Sequence, residues 1–245
     1  MKAIPGLLMM IVISFSSGSA SAQDKESILA DTTTQNMFQK KLRWGLSWNQ
    51  YWGTIKGNSL PQTYFSKPCL GFNFRAEYYP LPFVGFGAGF GLQQRGAGII
   101  NPDNSGGSFT HPWEFPLGNP DSTYRERLRF NTLEVPLTLL LRTPKDVIKG
   151  VRISGAAGIL FTHVTRAKDY FLSVEDGFHV ITDVKDSYLI NNFGYQFSLG
   201  TDINAGESCI LQVHLVMTEC VRNVYKTAPA NGQLRTFGFR VAWLF

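Results

Sequence analysis

Eight stretches of this chain alternate apolar residues with small or polar ones at a period of two, and beyond residue 22 nothing stays apolar for the 18 or so residues that a membrane-crossing helix needs. A period of two sends neighbouring side chains to opposite faces of a strand. The chain is therefore expected to be all-β, with one apolar and one small or polar face on every strand. The stretches are residues 41–52, 70–79, 83–94, 124–141, 151–163, 188–203, 211–218 and 234–245.

The two faces are chemically distinct. Leu42, Trp44, Leu46 and Trp48 oppose Arg43, Gly45, Ser47 and Asn49, while Val84, Phe86, Ala88, Phe90 and Leu92 oppose a row of glycines. A soluble up-and-down barrel, such as a lipocalin, alternates too, but its outer face carries many Lys and Glu. Here the non-apolar face is mostly Gly, Ala, Ser and Asn with isolated charges. That face suits a crowded interior and the apolar face suits lipid. The expected fold is an eight-stranded antiparallel up-and-down transmembrane β-barrel with a plugged, polar interior.

Residues 124–141 break the pattern, because Leu128 and Phe130 are in one phase and Leu133, Val135, Leu137 and Leu139 in the other. A bulge near Asn131 and Thr132 would keep both apolar sets on lipid and turn Arg127, Arg129 and Glu134 inward. Pro136 lacks a ladder donor and would use the pairing that such a bulge disturbs. With this register the interior charge network is Arg43, Arg75, Glu77, Arg127, Arg129, Glu134, Arg152, Asp202 and Arg240. Eight strands enclose only enough room for side chains, so these charges are expected to pair and to close the lumen.

The ends agree with a barrel. Lys2, an apolar run over residues 4–15 and the small residues Ala20, Ser21 and Ala22 resemble a cleaved export signal at residues 1–22, followed by a polar periplasmic lead-in at 23–40 and the barrel at 41–245. The last strand closes on Trp243 and Phe245, the aromatic ending that the outer-membrane assembly machinery reads. The short links 79–83, 142–150 and 204–208 alternate with the long polar links 53–67, 96–122, 164–187 and 221–233, which places both termini in the periplasm.

Charge and reactive residues exclude several functions. Removing Lys2 from the 23 Lys and Arg leaves 22 against 18 Asp and Glu, with no basic run and no nucleic-acid motif. The histidines, His111, His163, His179 and His214, show no metal-ligand spacing, so neither metal nor cofactor is expected. His163 with Thr165 resembles the rim of lipid A deacylase barrels, but those place a Ser where this chain has Thr165; an esterase is thus a minor alternative. Cys69, Cys209 and Cys220 are expected to remain unpaired thiols, because Cys209 and Cys220 lie at opposite ends of the seventh strand and the strands of Cys69 and Cys220 are too far apart around the wall for a disulfide.

Residues 130–141 (FNTLEVPLTLLL), the Gly-rich 151–160 (VRISGAAGIL) and 192–200 (NNFGYQFSLG) together resemble the PorT-like outer-membrane barrels of the Bacteroidota, most sharply in Leu133, Glu134, Val135, Pro136 and Leu137. The resemblance implies a non-enzymatic barrel needed for type IX secretion, the route of gingipain-type proteases and gliding adhesins, with other secretion components as partners. No catalytic residue carries over. The alternative is a surface adhesin or host-binding barrel acting through its long loops.

Overall fold

The computed structural model describes residues 37–56, 63–65, 67–101, 124–173, 179–206, 208–224, 226 and 232–245. Their period-2 sequences form ten strands: β1 (Leu42–Lys56), β2 (Thr63–Phe65), β3 (Lys67–Tyr78), β4 (Val84–Asn101), β5 (Tyr124–Arg142), β6 (Val151–Ser173), β7 (His179–Asp183), β8 (Asn191–Asn204), β9 (Ile210–Cys220) and β10 (Gln233–Leu244). Eight of them make the wall, in the cyclic order β4-β3-β1-β10-β9-β8-β6-β5, and β5 pairs back to β4. Every pairing is antiparallel, and the first wall strand meets the last from Gly45 opposite Leu244 to Lys56 opposite Gln233. The sheet is closed, so its wall has no unpaired edge. The fold is the expected eight-stranded barrel, with β2 and β7 added on β4 and β6 beyond the wall.

Three tight links join wall strands at the end where the described residues begin and finish, near Met37 and Phe245. Two of them turn on Gly150 (φ 75°) and Gly206 (φ 99°), backbone conformations that a side chain disfavours. At the same end the chain enters through a 3-10 turn, Met37–Gln39, and Phe245 exchanges both backbone hydrogen bonds with Trp44 (3.2 and 2.8 Å).

Pro136 departs from the expectation. The β4–β5 register runs straight from Ala88 opposite Leu137 to Gly91 opposite Glu134, with the steps at Gly89 and Phe90 missing. The proline is accommodated by this gap in an unshifted ladder, against the β-carbon-free Gly89, rather than by a bulge beside it. The register shift does lie at Asn131/Thr132, but the extra residue is Thr165 on β6: Asn131 faces Arg166 and Thr132 faces Val164. Strand β5 itself alternates without interruption, so the expected phase change within it does not occur.

What changes along β5 is the surroundings. From Leu133 to Leu141 the outward row is apolar, and the same holds around the wall for Leu46, Phe72, Phe90, Phe161, Phe197, Leu215 and Trp243. Beyond Leu133 the outward row becomes Asn131, Arg129, Arg127 and Arg125, whereas Leu128 (0% exposed) and Phe130 (2%) point inward. Arg127 and Arg129, expected in the lumen, therefore lie outside, and Leu128 and Phe130, expected on lipid, lie inside. The inward apolar set joins Ile55, Ala97, Val164, Ala167, Val184, Tyr188, Val224 and Leu234 in one core. The barrel is inside-out near its termini and ordinarily hydrophobic-cored at the far end, a change of sign that marks where lipid gives way to water.

Candidate functional site

The apolar belt spans eight residue steps on β5, about 26 Å of strand, which at the usual barrel tilt of about 40° is roughly 20 Å along the membrane normal. Such an outer surface around a charged interior fits a lipid bilayer and not water.

Inside the belt the lumen is filled in tiers. At the termini end Phe38 (2% exposed) enters the barrel mouth, and its carbonyl accepts from Arg142 Nη2 at 2.8 Å. The guanidiniums of Arg43, Arg142 and Arg152 lie 5.8, 5.8 and 4.3 Å from its ring centroid, and Tyr79 offers a second face to Arg43 at 4.8 Å and Arg142 at 3.9 Å. Arg43 makes no hydrogen bond among the described residues and is held between these rings. Arg152 also donates to Asp146 at 2.8 Å in the β5–β6 turn. With the Gly150 backbone N–H, that hydrogen bond holds the Asp146 carboxyl below the usual carboxylate range.

Higher up, Arg75 donates to Glu77 at 2.6 Å and Gln212 Nε2 donates to the same carboxylate at 3.2 Å. Beside them Ser154 Oγ donates to Asp202 Oδ1 at 2.5 Å, and Arg240 Nη2 lies 3.2 Å from His214 Nδ1. The arginine can only donate, so it fixes Nδ1 as an acceptor and leaves the proton on Nε2, which faces Asp202 at 3.2 Å and Ser154 at 2.8 Å. A Ser, a His and an Asp thus meet, but both partners share one ring nitrogen. A nucleophile–base–carboxylate relay needs opposite nitrogens, so this cluster stores charge and cannot pass a proton along a triad.

In the third tier Glu134 was expected and its partner was not. Arg95 is completely buried and forks onto Glu134 through Nε and Nη2, the latter at 2.9 Å from Oε2. Its Nη1 donates to Thr218 Oγ1 at 2.6 Å, and Thr132 Oγ1 donates to Glu134 at 3.0 Å. Arg95 lies one residue past the expected end of its strand, although it continues that strand's inward row. Among these tiers the space beside Ser47, Tyr51, Arg75, Gln196 and Arg240 is about 10 Å³, room for one water at most.

Of the residues expected in the charge network, Arg43, Arg75, Glu77, Glu134, Arg152, Asp202 and Arg240 are buried in the lumen, and Arg127 and Arg129 are not. His163 is exposed on the outer wall and its Nδ1 bonds Asn191 Oδ1 at 2.7 Å, while the Thr165 hydroxyl donates to the Asn131 carbonyl at 2.9 Å. The two do not meet as base and nucleophile. Cys69, Cys209 and Cys220 form no disulfide. His111 lies outside the described residues.

No family model matches the chain, and no curated protein matches it. Solved structures similar to it include the attachment invasion locus protein Ail of Yersinia pestis (12% identity over 84% of this chain and 100% of that one, TM-score 0.40). Neisserial surface protein A (8%, 83% and 96%, TM-score 0.44) and OprG of Pseudomonas aeruginosa (12%, 83% and 94%, TM-score 0.39) are others.

Proposed function

We propose that this chain is an outer-membrane barrel, termini in the periplasm, that serves the secretion or maturation of exported proteins as a non-enzymatic scaffold. The filled lumen carries the scaffold half of this reading: with Phe38 seated over three guanidiniums and about 10 Å³ of free space higher up, the lumen as formed by the described residues offers solutes no path. The secretion half rests on the sequence resemblance around Leu133, Glu134, Val135, Pro136 and Leu137. In this fold Glu134 holds Arg95 and Pro136 sits in the β4–β5 gap, so the motif serves wall and lumen together.

A clean deletion followed by analysis of the exported proteome tests it. Loss of exported proteases or adhesins, restored by the gene in trans, is the expected result; an unchanged exported proteome refutes the role. A second reading, a surface-binding barrel, is favoured by the hydrophobic-cored far end, which holds charged strands β5, β6 and β7 above the belt on a rigid base. Removing residues 102–123 separates the two: lost binding to host material with export intact supports the binding module.

A further inference from the structure

The bulge at Thr165 has a directional effect on the outer wall. It makes Thr165 and Arg166 both face outward, where strict alternation would bury Arg166, and it carries Lys168 and Tyr170 outward with them while Ala167 and Asp169 face the core. The register then sets Arg129 directly opposite Lys168 and Asn131 opposite Arg166, one row above Leu133 and His163, where the apolar belt ends. Together Arg129, Asn131, Arg166, Lys168 and Tyr170 line a recess of about 130 Å³.

Like charges directly across a ladder are destabilising. Among the described residues no carboxylate forms an ion pair with Arg129, Arg166 or Lys168. The acid across from Lys168 is Asp183, whose Oδ1 accepts from the Lys185 N–H at 3.2 Å. Among the described residues Arg129 has one neutral partner: the Gln94 amide, its oxygen turned to the guanidinium, accepts from Nε at 2.8 Å and from Nη2, which leaves the outer Nη hydrogens free to donate. The group that satisfies this arrangement must be anionic, compact enough for the recess and present at the height where hydrocarbon stops.

We infer that the recess binds the phosphate of a membrane lipid headgroup, with the acyl chains lying down the wall over Leu133, Val135 and Phe161. Arg166 supplies a planar donor pair that matches phosphate oxygens, Arg129 donates through the Nη hydrogens that Gln94 leaves free, and Lys168 adds a point charge. Leu133, Val135 and Phe161 are exposed on the belt directly below. A soluble phosphate would gain the headgroup contacts but not this wall. The inference rests on the membrane reading of the belt and is independent of any part in secretion.

The test uses the full chain folded into phosphatidylcholine bilayers with or without lipid A bearing its phosphates, and counts co-purifying lipid by native mass spectrometry. The wild type is expected to retain phosphorylated lipid A over its dephosphorylated form. The triple variant Arg129→Gln, Arg166→Gln, Lys168→Gln, whose side chains lie outside the core, is expected to lose about a hundredfold in affinity, about fivefold per charge removed near an anionic surface. Lys56→Gln, a cation on the far side of the barrel, is expected to change nothing. Equal retention by the triple variant, or of the dephosphorylated lipid, overturns the inference, and displacement by inorganic phosphate alone overturns the lipid assignment. Failure to insert into phosphatidylcholine would instead overturn the membrane reading itself.

Discussion

Glu134→Gln isolates what holds the third tier together. Glu134 takes both forks of Arg95 and a hydroxyl from Thr132, and Arg95 is completely buried, so the substitution leaves the guanidinium without its counter-charge, facing one amide oxygen and an amide NH2 with Thr218 and Thr236 as its other close acceptors in a water-poor lumen. Breaking such a pair from one side costs about 3–5 kcal/mol, because the remaining charge is stranded. At a urea slope of about 2 kcal/mol per M, the unfolding midpoint should fall by roughly 2 M. The assay is reversible urea unfolding in lipid vesicles followed by tryptophan fluorescence. Arg95→Met is expected to cost a similar amount, whereas Arg95→Met/Glu134→Leu removes both charges and should recover most of the loss, a coupling well above about 1 kcal/mol. Two single variants within about 1 kcal/mol of wild type, or a double variant equal to their sum, would refute the pairing as the organising contact of the lumen.

Further outcomes follow from other levels of the barrel. Phe38→Ala should lower stability by about 3 kcal/mol, since it removes a buried ring together with the face on which three guanidiniums rest; the same vesicle unfolding measures it. In planar bilayers the wild type should pass no steady ion current above the leak, and a discrete, reproducible conductance would contradict a filled lumen. A β-carbon on Gly45 would overlap the Trp243 carbonyl oxygen where the first and last strands pair, so Gly45→Val should yield unclosed protein that runs as unfolded on unheated gels. Asp146 is depressed in the folded protein, so its stabilising effect is complete above the ordinary carboxylate value and is lost as pH falls through the lowered one. An acid titration of unfolding should show a small step there that Asp146→Asn abolishes; the carboxylate is only partly buried, so water screens it and the step is modest.

The wall strands were legible because lipid imposes one rule on them: every second residue from Leu133 to Leu141 meets hydrocarbon, and the period survives in the sequence. The upper third was not, and the reason is physical. Past Leu133 water replaces lipid outside and the interior dries, so the apolar row moves from odd to even positions without any change in backbone phase. In sequence that exchange looks the same as an inserted residue. Strand β6 shows the cost, running to Ser173 where the pattern placed a loop from residue 164. A true insertion exists at the same height, but it is Thr165 in the neighbouring strand, where Val164-Thr165-Arg166 carries no obvious break in period. Lumen charges inside the expected strands were readable from their row; Arg95 fell just past the expected end of its strand and Arg142 in a link, although Arg142 reaches the rings of the first tier and Arg95 the carboxylate of the third.

The reversal of polarity along β5 and β6 also acts as a waterline. If the barrel sank by two residues, Asn131 and Arg166 would enter hydrocarbon, and by two more Arg129 and Lys168 would follow, each charge costing about 2–4 kcal/mol if driven to the midplane. If it rose, Leu133 and Val135 would be lifted out of hydrocarbon toward the headgroups above, and Trp243 and Phe245 drawn off theirs at the other boundary. Depth is therefore set on one side by cations that refuse to descend and on the other by rings that refuse to climb. Whatever grips the exposed end pulls against a float held at a fixed height, and force applied there passes to the wall as tension without drawing the barrel through the membrane.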